Sequence, residues 1–222
     1  MEYLECLREG HGYAECILGP MFSSKSATLL SIIRRYRHLK NGVSVVLYRA
    51  VIARTEDKGM VKTHSGDEEK PDAAVSSFED VLADLRERWP WAMPHKLIIG
   101  LEEAQFVKGL VNLVRFVNHH PIGYFQCCRI ALFMTALDGT FEQKPWPEVF
   151  DALPLCKTFH KSEMAICMCC GRLQAPYSRR DTEEKALILT GKEDKYSACC
   201  WQCLSCPRDK RPCHLFSRVC ES

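Results

Sequence analysis

Residues 13–18 form a short, mainly apolar run that stops at Gly19-Pro20, the pattern of a strand entering a turn. Residues 26–39 place Leu29, Leu30, Ile32, Ile33 and Tyr36 at helical spacing, with Arg34, Arg35 and Arg37 among them, and Asn41-Gly42 ends that helix. Residues 43–48 are β-branched and apolar, a second strand. Residues 53–73 are polar and charged and carry Gly59, Gly66 and Pro71, so they read as a long loop. A helix over 77–89 is opened by a Ser-x-x-Asp cap, Ser77 to Asp80. A third strand over 96–101, a helix over 110–118 and a fourth strand over 129–137 complete the series.

Alternating strands and helices predict an α/β fold, a parallel sheet with helices on both faces. The strands show little period-two alternation, which fits burial on both sides. The chain has 222 residues, enough for one full domain and a small module, with the boundary expected near 159–165. A formal net charge of +2 gives no general attraction to nucleic acid or membrane. No apolar run approaches the ~20 residues that span a bilayer. The start, Met1-Glu2-Tyr3-Leu4-Glu5-Cys6, is acidic and lacks a signal-peptide pattern, so a cytoplasmic location is expected.

In a reducing compartment the 14 cysteines are expected as thiols or metal ligands, not disulfides. Cys6, Cys16, Cys127, Cys128 and Cys156 precede residue 160, and the other nine crowd between Cys167 and Cys220. Cys167-x-x-Cys170 and Cys200-x-x-Cys203 make two knuckles, the spacing of a tetrahedral thiolate site for structural Zn²⁺. Cys169, Cys199 and Cys206 are adjacent extras, and Cys203-x-x-Cys206 is a competing knuckle. The tail from 207 reads either as a mobile segment or, through Cys206, Cys213 and His214, as a second, weaker metal site.

Gly19-Pro20-Met21-Phe22-Ser23-Ser24-Lys25-Ser26 follows a strand and opens a helix. It fits the phosphate-loop pattern G-x-x-x-x-G-K-[ST] except at Ser24, where glycine is expected. Backbone N–H groups of such a loop converge on phosphate oxygens, the lysine neutralises the β/γ-phosphates and the hydroxyl binds Mg²⁺. A side chain at position 24 adds strain of order ~1 kcal/mol if φ there is positive. The apolar strand over 96–101 ends in Glu102-Glu103. Such carboxylates support Mg²⁺ or act as a general base, because ligands of open α/β sheets bind beyond the strands' carboxyl ends.

Three segments in order resemble the type II thymidine kinases of cells and large DNA viruses. They are Gly19-Pro20-Met21-Phe22-Ser23-x-Lys25-Ser26, then Glu102-Glu103-Ala104-Gln105-Phe106, then Ala136-Leu137-Asp138-Gly139-Thr140-Phe141-x-x-Lys144-Pro145. Asp194-Lys195-Tyr196 before the last cysteine pair also matches, and the resemblance runs from about 13 to 203. It implies a P-loop nucleotide-binding domain over 1–160, a zinc-binding lasso domain over 161–206 and a tail over 207–222. It implies transfer of the γ-phosphate of ATP to the 5′-hydroxyl of thymidine or deoxyuridine, with Mg²⁺ for catalysis and Zn²⁺ for structure. Glu103 matches the catalytic base, and Glu102 stands where the family usually has an Asp that supports Mg²⁺. Met21, Phe106, Leu137, Phe141, Leu189 and Tyr196 match residues around the nucleoside, and a homo-tetramer is the family's common assembly.

The chain also departs from the family. An Asp-x-Arg pair is expected ten residues before a Thr/Ser-His, and counting back from Thr63-His64 places Arg54-Thr55-Glu56 there. A slip of the alignment by a residue would let Arg54 or Lys58 supply the phosphate contact. Unshifted, Glu56 would oppose the charge stabilisation that phosphoryl transfer needs. With Ser24 and Glu102, this keeps a weakened or non-catalytic nucleotide-binding subunit open beside an active kinase. A zinc-ribbon nucleic-acid binder is the third reading, opposed by the near-neutral charge and the lack of a basic–aromatic pattern.

Overall fold

The computed structural model of the chain describes residues 12–39, 42–51, 59–63, 66–119, 128–162, 165–184 and 195–205. Arg54, Thr55, Glu56, Lys58, His64, Leu189 and Asp194 lie outside these residues, as do Cys6, Cys127, Cys206, Cys213 and His214.

Strand β1 (Tyr13–Gly19) leads into helix α1 (Lys25–Arg37), and β2 (Ser44–Ala50) follows. Within the charged stretch expected as loop, β3 (Val61–Lys62) and β4 (Glu68–Glu69) pair antiparallel, and β5 (Ala73–Val75) pairs parallel with β2. The loop expectation is corrected there. These strands are too short for periodicity to reveal, and their charges are paired: Arg34 Nε lies 3.0 Å from Glu69, and Arg37 Nη2 lies 2.6 Å from Asp72. Helix α2 (Phe78–Arg88), strand β6 (Lys96–Glu102), helix α3 (Leu110–His119) and strand β7 (Arg129–Leu137) come next. The α2 cap is reciprocal as expected: Ser77 Oγ accepts the Asp80 N–H, and the Asp80 carboxylate accepts the Ser77 N–H. Helix α4 (Pro147–Ala152) and strand β8 (Thr158–Lys161) close the main body. A smaller group follows, made of β9 (Ala165–Ile166), β10 (Leu173–Ala175), β11 (Tyr177–Arg180), β12 (Tyr196–Cys199) and the short helix α5 (Trp201–Leu204).

The main sheet runs β5-β2-β6-β7-β1-β8, with every pair parallel. Its faces are divided by the pleat. Tyr13, Leu47, Ile98, Ala131 and Phe133 pack with Leu29, Leu30, Ile33 and Tyr36 of α1 on one side. Ala14, Val46, Tyr48, Leu97, Ile99, Ile130 and Leu132 pack with α2, α3 and α4 on the other. Apolar residues on both faces explain why the strands read as near-continuous apolar runs. Among the described residues no helix is long and apolar enough to cross a membrane.

Gly100 on β6 lets α1 settle close to the sheet. A Cβ there would lie 2.7 Å from Ile33 Cδ1 and 3.0 Å from Leu47 Cδ1. Gly100→Ala is therefore expected to destabilise the chain by about 1–3 kcal/mol through overpacking. Ile33→Val, which removes Cδ1, should cost about 0.5–1.5 kcal/mol alone. Because the two changes relieve each other, the double variant should be less destabilised than the sum in urea unfolding. Strict additivity would refute this packing account.

Candidate active site

The loop between β1 and α1 is folded on itself. Ser23, 2% exposed, donates from Oγ to the Pro20 carbonyl at 2.9 Å. Lys25 Nζ donates to the same carbonyl at 2.5 Å and to Ser23 Oγ at 3.3 Å. Two residues remote in sequence hold the loop from outside. Ser162 Oγ donates to the Ser23 carbonyl at 2.5 Å, and the Met21 N–H donates to Ser178 Oγ at 2.8 Å. Ser24 sits at φ 60, ψ 15, so the position does demand left-handed backbone, and its side chain makes no cap to α1. Burial holds the Lys25 pKa below its ordinary value, against the pull of Glu102, Glu103 and Asp138.

The carboxylate pair lies at the end of β6. Glu102 is 7% exposed and accepts from Ser26 Oγ at 2.5 Å and from Thr135 Oγ1 at 2.6 Å. Thr135 Oγ1 accepts in turn from the Glu103 N–H at 3.2 Å. Glu103 takes left-handed backbone, φ 59 and ψ 48, and heads a one-turn 3₁₀ helix, Ala104–Phe106. Burial, foremost, and the neighbouring Glu102 charge push its pKa up to about 7, while Lys25 and Arg49 act the other way. A cavity of about 120 Å³ is bordered by residues 21–27, Thr63, Glu102, Glu103, Gln105, Thr135, Ala136 and Leu137. The loop, both carboxylates, Met21 and Leu137 thus face one space. The serine hydroxyl and the carboxylate at its floor are hard oxygen donors of the kind Mg²⁺ prefers.

The remaining candidates for a nucleoside wall fall into two groups. Phe106 packs edge-on against Trp146 with ring centroids 5.4 Å apart. Phe141 and Tyr196 meet through Arg180, whose guanidinium carbon lies 3.8 Å from the Phe141 ring centre and 5.2 Å from that of Tyr196.

The four knuckle cysteines come together as the spacing predicts. The sulfurs of Cys167, Cys170, Cys200 and Cys203 all lie within 4.8 Å of one another. Tetrahedral Zn²⁺ with Zn–S bonds of about 2.3 Å needs sulfurs about 3.8 Å apart. Cys170 and Cys200 are at 3.8 Å, so the donor set fits the ion. Gly171, at φ 71, makes the knuckle turn by returning its N–H to the Cys167 carbonyl at 2.8 Å. Burial acts against the Cys167 thiolate, yet N–H donors from Cys200, Cys169 and Cys170 hold its pKa down at about 6. Cys169 stays out of the cluster and accepts from Arg179 Nη1 at 3.1 Å.

Three residues of the site were not singled out from the sequence. Thr135 had a signal, as the one polar residue in the apolar run 130–137. Gln105 was read only as part of a motif; its Oε1 accepts the Leu137 N–H at 3.1 Å and fixes the strand end beside Glu103. Arg180, in an ordinary Arg-Arg pair, had none.

The thymidine kinase family model matches residues 12–204. The thymidine kinase of Sheeppox virus (strain KS-1) is 31% identical over 193 residues, covering 87% of this chain and 97% of the relative. Those of Myxoma virus (strain Lausanne) and Vaccinia virus (strain Western Reserve) are 27% and 28% identical, each covering 86% of this chain and 96% of the relative. With the family model spanning nearly all of the described residues, the chain belongs to the thymidine kinase family.

Proposed function

We propose that the chain transfers the γ-phosphate of ATP to the 5′-hydroxyl of thymidine or deoxyuridine. The reading rests above all on the 2.5 Å contact between Ser26 Oγ and Glu102, which joins the phosphate loop to the strand-end carboxylate. In it, residues 19–26 cradle the phosphates with backbone N–H groups, and Lys25 carries the compensating charge. Ser26 and Glu102 would hold Mg²⁺, which neutralises charge on the β- and γ-phosphates when bound. Glu103 takes the proton of the 5′-hydroxyl, a task that suits a carboxyl poised near neutral pH. Met21, Leu137, Phe106, Phe141 and Tyr196 surround the nucleoside, and the four-cysteine site holds Zn²⁺ as a closed structural centre. A cytoplasmic location and, by the resemblance, a homo-tetrameric assembly belong to this proposal.

Incubation of the chain with ATP, Mg²⁺ and thymidine should yield thymidine monophosphate, with deoxycytidine refused. A base works only when deprotonated, so kcat/KM should rise with pH through about 7 and level off above it. Glu103→Gln should lose about 10²–10⁴-fold in kcat and flatten that rise. A folded chain that forms no product at pH 8 would overturn the proposal.

One observation favours a weakened enzyme as the second reading: the left-handed backbone of Ser24, where a side chain is strained. Ser24→Gly removes a strain of about 1 kcal/mol that the free loop already carries, so the chain should gain about 1 kcal/mol of stability in urea unfolding. No gain in stability would mean the loop carries no such strain.

The tag-free chain should contain about one zinc, bound through Cys167, Cys170, Cys200 and Cys203. Chelation should raise amide exchange in 165–171 and 196–205 before the main sheet opens. A folded chain with no zinc by elemental analysis would rule this out.

A further inference from the structure

We propose that Arg180 is the positioning residue of the nucleoside wall, its guanidinium occupying one face of Phe141 and holding Tyr196 beside it, so that a base stacks on the opposite face. This rests on the nucleoside-kinase reading above. Arg180 is 4% exposed, and a cation so buried is costly unless its surroundings compensate. Contacts in two directions do part of this. In the plane of the guanidinium, Nη1 donates to the Glu184 carbonyl at 3.0 Å and Nη2 to the Tyr196 hydroxyl at 2.7 Å. The guanidinium carbon also lies over the Phe141 ring, 3.8 Å from its centre. Only a planar, delocalised cation can serve both directions at once; a lysine ammonium cannot.

The bridged elements are each fixed. Arg180 and Tyr196 are directly opposed partners in the β11–β12 ladder. Phe141 projects from a tight turn in which the Thr140 N–H reaches the Lys144 carbonyl at 2.8 Å, and Thr140 Oγ1 accepts from the N–H groups of Glu142 and Lys144. Arg180 is thus the clasp between a turn of the main body and a hairpin of the small module. Phe141 is half-buried, and with one face covered its ring has one orientation to offer a substrate.

The test is steady-state kinetics of the full chain with thymidine and ATP varied separately, beside amide hydrogen exchange of the free protein. Arg180→Met should raise the thymidine KM by about tenfold or more, with kcat changed less than about threefold and the ATP KM within about twofold. Arg180→Lys, which keeps charge but not plane, should retain most of that defect. Tyr196→Phe, which removes only the hydroxyl, should give a smaller rise. In exchange, Arg180→Met should loosen 139–144 and 196–199 while 165–171 keeps its protection. An unchanged thymidine KM, a parallel rise for ATP, or tighter thymidine binding once the guanidinium is gone would each overturn the proposal; the last would mean Arg180 fills the place of the base. If the wild type phosphorylates no nucleoside, the kinase reading fails, and the exchange data alone decide whether Arg180 clasps the two elements.

Discussion

Two hydroxyl contacts to one buried carboxylate organise this molecule. Glu102 sits at the end of a central strand with almost no access to water, where an uncompensated anion would cost several kcal/mol. Ser26, in the first turn of α1, and Thr135, on the neighbouring strand, both donate to it. A helix and two strands are thereby set in register around a single charge. The phosphate loop inherits its position from the helix it precedes. Lys25 feels the same anion, and so does Glu103, whose proton affinity rises through burial first and then through the neighbouring carboxylate.

The loop can hold strained backbone because its ends are over-determined. Phe22 and Ser24 both have φ near 60, a region that non-glycine residues avoid. The conformation persists where surrounding bonds leave no alternative. Here Ser23 is bound internally, Ser162 grips its carbonyl from the end of β8, and Ser178 takes the Met21 N–H from β11. The C-terminal module is therefore part of the phosphate loop's support.

The parts of this architecture legible in the sequence share a physical cause. The four central strands are buried on both faces, so their apolar runs are unmistakable. The edge strands are short, β5 only Ala73-Ala74-Val75 and β8 mixed in polarity, and nothing local distinguishes them from loop. Lys25, Ser26, Glu102 and Glu103 were readable because phosphate chemistry fixes residue types at fixed spacing, and they do converge on one cavity. Ser24 was readable only conditionally, since its identity was plain but its φ depends on the loop's closure. Arg180 was not readable at all. Its meaning lies in a ring brought to it from Phe141, 39 positions earlier in the chain, and stacking of that kind leaves no periodic trace.

The four-cysteine cluster and the proposed nucleoside wall are joined by four residues of backbone. Strand β12 begins at Tyr196 and ends at Cys199, directly before Cys200. Beside its ladder with β11 and the Arg180 contact, that strand rests on a small apolar cluster. The cluster consists of Ala165, Ala175, Ala198 and the cysteines 167, 199, 200 and 203, with Phe22, Tyr177 and Leu204 partly buried against it, while Ile166, Leu173 and Trp201 stay exposed. Alanine and cysteine side chains remove little apolar area from water, and at about 25 cal/mol per Å² they cannot offset the entropy of ordering such a segment. Four metal–thiolate bonds, if the cluster holds Zn²⁺ as proposed, would do so. A closed tetrahedral ion has no open position for substrate, so its influence on the chemistry must pass through the chain. The path is short: fixing Cys200 sets the register of β12 on β11, and that ladder carries both the serine that holds the Met21 N–H and the arginine that stacks on Phe141.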